Sequence, residues 1–122
     1  MGGCAKALNW PDKRLFEMSE RQKVKIKVLK RFSPSEVFEK SPAPHVNPNL
    51  GACELFTDGQ EFVVDQDLKM PDGFCGSAWQ TIWNYLRVLV FGGNFPWFKE
   101  KGVCIVCCAD GLRPVIFKLE RI

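Results

Sequence analysis

Only one stretch of this chain has the residue spacing of a long amphipathic helix. Between about Phe74 and Phe91, apolar residues recur every three or four positions, and Gly92 and Gly93 follow as a stop signal. The apolar positions are Phe74, Ala78, Trp79, Ile82, Trp83, Leu86, Leu89 and Val90. A chain of 122 residues has room for one ordinary domain, so the rest of the chain has to cover this helix face.

The other periodic segments are short and predict strands. Lys23–Arg31 begins with strict alternation of lysine and apolar residues, which is typical of a half-buried strand. Ser33–Glu36 has the pattern of a capping box and predicts a short helix after it. Further strands are predicted at Gln60–Val64, Val103–Cys108 and Arg113–Glu120, the last two as a hairpin. The sequence therefore predicts an α+β fold, a small antiparallel sheet with one main helix packed on one face.

The polar, charge-mixed residues 1–22 are predicted to form an N-terminal extension, and residues 23–122 a single cysteine-rich α+β domain. The extension has no apolar leader, and the apolar runs elsewhere are too short to span a bilayer. We therefore expect a cytoplasmic protein without a membrane partner, whose six cysteines are thiols or metal ligands. One hypothesis makes the protein an interaction module, or a homo-oligomer, that docks through residues 1–22.

The charge balance argues against nucleic acid. Lys and Arg number 17 against 14 Asp and Glu, a net charge of +3. The cluster Lys23–Arg31 is basic, but the aromatic residues that could stack on bases lie elsewhere in the sequence. We expect these lysines to form a solvated face or to protect an edge strand, with no nucleic-acid partner.

Several segments together resemble a known protein family. They are Val24–Phe32 with Ser33 and Pro34, Gly59–Phe62, Pro71–Cys75, Ala78 with Trp79, Gly92–Gly93 with Phe95–Trp97, and the long, specific run Cys107–Arg121. Over about residues 23–122 the chain resembles a serially numbered, functionally uncharacterised family of short bacterial and archaeal proteins, with some fungal members. The resemblance implies that Cys53, Cys75, Cys107 and Cys108 occupy the family's cysteine positions.

These four cysteines give the leading hypothesis, a small metal-binding module that holds zinc or an iron–sulfur cluster. Thiolate sulfur binds both well. One geometric condition applies, because adjacent residues of a regular strand point to opposite faces. Cys107 and Cys108 can reach one ion only if the strand ends or bulges there. The opposing interpretation makes Cys104 and one of this pair small buried hydrophobic residues.

The competing hypothesis is a cofactor-independent enzyme, an isomerase, cyclase or lyase acting on an apolar small molecule. Cys75 is predicted at the start of the main helix, where the helix dipole stabilises a thiolate. His45, the sole histidine, lies in a proline-rich loop and would be its base if the loop folds over the helix start. Asp72 is a further candidate acid or base, and a solvated His45 is the simpler alternative.

This hypothetical enzyme needs an apolar cleft with a few polar groups. The candidate substrate-binding residues are Trp79, Trp83, Phe95, Trp97 and Arg113. Core packing would also explain the two helix tryptophans. Arg113 could hold a carboxylate through two hydrogen bonds, or it could pair with a surface acid.

Overall fold

A computed structural model describes residues 21–38, 46–47 and 49–122. The predicted base His45 and nearly all of the predicted extension lie outside this part. The elements are β1 (Val24–Arg31), α1 (Pro34–Val37), β2 (Glu61–Val64), α2 (Gly76–Val90), β3 (Val103–Cys107) and β4 (Val115–Arg121). No helix among the described residues has both the length and the apolar character needed to cross a membrane.

The strands form one antiparallel sheet in the order β2-β1-β4-β3, and α2 packs on one of its faces. The predicted α+β fold is confirmed. The predicted helix is slightly too long, because Gly73 adopts a φ of +79° in a turn and Cys75 is the N-cap with extended backbone. Two of the predicted residues, Phe74 and Cys75, therefore precede α2.

β1 is an interior strand, with β2 on one side and β4 on the other. The interpretation that its lysines protect an edge strand is therefore wrong. They alternate with the buried residues Val24, Ile26 and Val28 and lie on the sheet face away from α2. There the Nζ atom of Lys25 lies 3.4 Å from a carboxylate oxygen of Glu61.

The core fills the space between α2 and the sheet. Buried α2 residues such as Ile82, Leu86 and Leu89 pack with strand residues such as Phe117 and Leu119, all fully covered. Cys104 belongs to this core, with 1% of its surface exposed, as predicted for a buried small hydrophobic residue. Burial raises the pKa of the Cys104 thiol.

The C-terminal end of α2 is fastened to the sheet by Arg121 of β4. Its Nη1 atom donates hydrogen bonds to the carbonyl oxygens of Leu89, at 3.0 Å, and Gly93, at 2.7 Å. Its Nη2 atom donates to Oδ1 of Asn94, which also accepts the N–H of Gly102. One guanidinium therefore links β4 to the last turn of α2 and to the loop that follows it.

Arg21 and Gln22, the last residues of the predicted extension, contact the domain. The N–H of Gln22 donates to the carbonyl oxygen of Val90 at 2.8 Å. The side chain of Gln66 donates to the carbonyl oxygen of Arg21 at 2.9 Å. The described end of this segment thus lies beside the C-terminal end of α2.

Candidate functional site

Three cysteines that are far apart in sequence line one cavity at the N-terminal end of α2. We call this cavity the thiol pocket and define it by Cys53, Cys75 and Cys108. Its volume is about 370 Å³. The apolar part of its lining is Leu55, Phe56, Ala78, Ala109 and Val115, and the polar part is Ser77, Asp110 and Arg113.

Cys53 is held in place through its backbone by Arg31 of β1. The Nη1 atom of Arg31 donates to the carbonyl oxygen of Cys53 at 2.9 Å, and its Nε atom donates to Asp58 at 3.1 Å. These contacts fix both ends of the segment from Cys53 to Asp58. Phe56, between them, is buried, and its ring makes edge contacts with three other phenylalanine rings of the core. This wall of the pocket is therefore anchored to the core.

Cys75 reaches the pocket from the residue that precedes α2. Its carbonyl oxygen accepts the N–H of Trp79 at 2.9 Å, the first hydrogen bond of the helix. The first turn of α2 contains no acidic residue. Negative charge near this turn is stabilised by its unpaired N–H groups and by the helix dipole. The predicted position of Cys75 at the helix start is confirmed.

Cys108 lies one residue beyond the end of β3. Its N–H donates to the carbonyl oxygen of Val115 at 3.0 Å, and the N–H of Val115 donates to its Sγ atom at 3.3 Å. This pair of contacts fixes the sulfur beside the start of β4. The strand thus ends where the metal hypothesis requires it to end.

Cys107, in contrast, does not line the thiol pocket. It lies opposite Ile116 in the β3–β4 pairing, so it shares the sheet face of Ile116 and not that of the buried Val115 and Phe117. Burial raises the pKa of the Cys107 thiol, and the neighbouring Cys108 raises it further.

The structure thus brings three of the four predicted metal ligands to one pocket and leaves Cys107 outside it. In the described part of the chain, no three His, Cys, Asp or Glu side chains are grouped closely enough to hold a metal ion. The described cysteines are all free.

Asp110 and Arg113 form the polar side of the pocket. Oδ1 of Asp110 accepts the N–H groups of Leu112, at 2.9 Å, and Arg113, at 3.2 Å, so Asp110 shapes the turn between β3 and β4. The Nε atom of Arg113 lies 3.8 Å from Oδ2 of Asp110. This is the pairing with a nearby acid that the sequence also allowed.

The predicted aromatic residues lie elsewhere. Trp79 makes an edge contact with Phe74, and Trp83 lies under the guanidinium of Arg87. Phe95 and Trp97 contact each other in the loop after α2, at 5.4 Å between ring centres. Trp97 is 70% exposed. None of these four lines the thiol pocket, although the predicted binding residue Arg113 does.

Two candidate catalytic residues are absent from the pocket as described. Asp72 is exposed and is not one of the lining residues, and His45 lies outside the described residues. Sequence reasoning missed Leu55, Phe56 and Arg31. Of these three residues, only Phe56 could have been identified as a candidate, from its aromatic character. Nothing in the sequence connects Arg31 with Cys53.

Comparisons with known proteins found no matching family, no similar curated protein and no similar solved structure. The resemblance to the serially numbered family therefore stays a prediction.

Proposed function

We propose that the thiol pocket binds a small, mainly apolar molecule and that the domain is a cofactor-independent enzyme that converts it through a cysteine. The observation that carries this proposal is the meeting of three thiols with an apolar wall around one cavity of about 370 Å³. Small-molecule sites are apolar concavities of roughly this size with a few placed polar groups.

The size of the cavity favours a molecule over an ion. Sulfur ligands lie about 2.3 Å from zinc, so a structural zinc site closes around its ion and leaves no cavity. The thiol pocket is much larger than this, and the described residues contain no close group of three metal-binding side chains.

Cys75 is the residue that we propose acts first. Cys75 lies at the N-terminal end of α2, where the helix dipole stabilises negative charge, and the first helical turn contains no carboxylate. A thiolate removes a proton from a carbon of the bound molecule, and a second thiol of the pocket returns a proton at another carbon. Atoms and electrons balance in such an isomerisation, which needs neither cofactor nor oxidant. We also propose a cytoplasmic location, because a reducing compartment keeps the thiols free.

The proposal is tested by thiol labelling and by binding of an uncharged probe. N-ethylmaleimide is a small electrophile that the pocket could admit, and we expect it to label Cys75 faster than Cys107. Benzyl alcohol should slow the labelling of Cys75 and shift the amide NMR signals of Ala78 and Val115. Cys75→Ser serves as the control that identifies the labelled site. Equal labelling of Cys75 and Cys107, with no protection by benzyl alcohol, would contradict the proposal.

A second candidate function is the metal-binding module, supported by the presence of Cys53, Cys75 and Cys108 in one pocket. With Cys107 outside, we propose three thiolates as the ligands of a zinc ion, after closure of the pocket around it. Protein purified without a histidine tag should then carry about one equivalent of zinc, which Cys108→Ser should remove. Less than about a tenth of an equivalent of zinc or iron would exclude the metal candidate, because structural sites hold their metal through purification.

A further inference from the structure

We propose that the molecule bound in the thiol pocket is a monocarboxylic acid whose carboxylate is held by Arg113. This inference rests on the small-molecule function proposed above and names the class of its ligand. Arg113 differs in its hydrogen bonds from Arg31 and Arg121, which are also half-buried.

Arg31 and Arg121 both donate side-chain hydrogen bonds to protein oxygens. Arg31 donates to the carbonyl oxygen of Cys53 and to Asp58. Arg121 donates to the carbonyl oxygens of Leu89 and Gly93 and to the amide oxygen of Asn94. Their roles in the domain are structural.

Arg113 differs from both, although its side chain is only 32% exposed. Its single charged neighbour among the described residues is Asp110, at 3.8 Å from Nε, which is an ion pair without a hydrogen bond. Within the described ranges its side chain donates no hydrogen bond to the protein. The fork of a guanidinium matches the two oxygens of a carboxylate, and Arg113 is the only cationic residue among the described residues that line this pocket.

The charge of the pocket selects a monoanion. Asp110 faces the same lining and partly cancels the positive charge of Arg113. A phosphate dianion would bring a second negative charge close to Asp110 with no second cation to offset it. A single carboxylate leaves Arg113, Asp110 and the ligand with one net negative charge beside the Cys75 thiolate proposed above, and both negative charges lie close to the positive end of α2.

The remaining lining is suited to an apolar body. Leu55, Phe56, Ala78 and Val115 form this wall, and the thiols lie in the same lining as Arg113. A short acid held at Arg113 would therefore place its carbon chain against the wall, within the pocket that contains Cys75. The carboxylate orients the molecule, and the apolar wall supplies the favourable burial.

The experiment compares acids with amides of the same shape on the full chain. The probes are 3-phenylpropanoate and octanoate against 3-phenylpropanamide and octanamide, titrated by NMR on the amide signals of Ala78, Ala109 and Val115. We expect each acid to bind about ten- to a hundredfold more tightly than its amide, the value of a charge-assisted hydrogen bond. In Arg113→Gln this preference should vanish, and in Arg113→Lys, which keeps the charge but loses the fork, it should be reduced. Arg87→Gln, which changes an arginine outside the pocket, is the matched control and should keep the full preference.

Each other result decides against the inference. Equal binding of acid and amide would overturn it while leaving the thiol pocket as a small-molecule site. Preference for the acid that survives in Arg113→Gln would assign the carboxylate to another group. If neither acid nor amide shifts any of the three signals, and benzyl alcohol does not either, both the inference and the proposed function fail.

Discussion

The two ends of α2 are both met by an arginine from the C-terminal part of the chain, and the two arginines do opposite things. At the C-terminal end, Arg121 donates three hydrogen bonds to protein oxygens and fastens the helix to the sheet. At the N-terminal end, Arg113 faces a cavity with one carboxylate beside it and three thiols in the same lining. A guanidinium that donates several hydrogen bonds to the protein stabilises the fold, and one that donates none keeps its donors available to a ligand. The hydrogen bonding of these two arginines therefore distinguishes the structural end of α2 from the end that contains the candidate site.

The largest effect on stability is expected at the C-terminal end of α2, where Arg121 binds. Replacing Arg121 by Gln should lower the free energy of unfolding by about 3 kcal/mol, because three hydrogen bonds from a charged, partly buried group are lost. The measurement is urea unfolding followed by circular dichroism. Arg113→Gln is the matched change at the N-terminal end of α2. It should lower the free energy of unfolding by less than about 1 kcal/mol, because only an ion pair is lost. Similar losses of unfolding free energy in the two variants would contradict the difference between Arg121 and Arg113.

The described thiols should differ strongly in their rates of alkylation. We expect iodoacetamide to alkylate Cys75 or Cys108 at least about a hundredfold faster than Cys104, since Cys104 is 1% exposed and its thiol pKa is raised by burial. Mass spectrometry of digested peptides gives the rates. A Cys104 that reacts as fast as the pocket cysteines would show that the core opens readily.

The raised thiol pKa values also predict how stability depends on pH. Folding raises the pKa of Cys104 above the ordinary value of 9.0, so the unfolded chain loses this proton first. The free energy of unfolding should therefore fall as the pH rises past about 9 and onward through the folded-state pKa. In Cys104→Ala this part of the fall should disappear. An unchanged pH profile in that variant would contradict the burial effect.

A smaller effect on the unfolding free energy is expected at Arg31, whose role is intermediate between those of Arg121 and Arg113. Its side chain donates hydrogen bonds to the protein, as Arg121 does, but one of them holds the wall of the pocket at Cys53. Arg31→Gln should cost about 1–2 kcal/mol of unfolding free energy and should change the labelling rate of Cys53 more than that of Cys75. Lys25→Gln, on the open sheet face, should cost less than about 0.5 kcal/mol. Equal effects of the two variants on Cys53 would remove Arg31 from its positioning role.

Local patterns predicted much of the fold. The spacing of Ile82, Leu86 and Leu89 and the alternation of β1 depend only on nearby residues, and both elements formed close to the predicted bounds. The strand order depends on distant pairings, and no local pattern revealed that β1 lies inside the sheet. The lysines of β1 were therefore open to the wrong edge interpretation.

The site was predictable in three of its cysteines and in Arg113. Cys53, Cys75 and Cys108 were candidates from their residue type and from the resemblance, and they do line one pocket. The predicted aromatic pocket depended on Trp79, Trp83, Phe95 and Trp97 lying together. A helix turns its residues around its axis, so only positions that face the sheet are buried, such as Ile82 and Leu86, while both tryptophans lie at the margin. Phe56, which lines the thiol pocket, lies in a segment with no periodic signal.

The interior position of β1 and β4 has a consequence for the order of events in folding. β1 is near the start of the described chain and β4 is at its end, yet Val24 pairs with Arg121 and Ile26 with Leu119. During synthesis, β1 and β2 can pair early, but β3 has no strand partner among the described residues until β4 is made. The central pairing joins the two most distant strands, so closing it is entropically costly and slow. The sheet, the helix face and the thiol pocket therefore become complete together, only after the last strand has been synthesised.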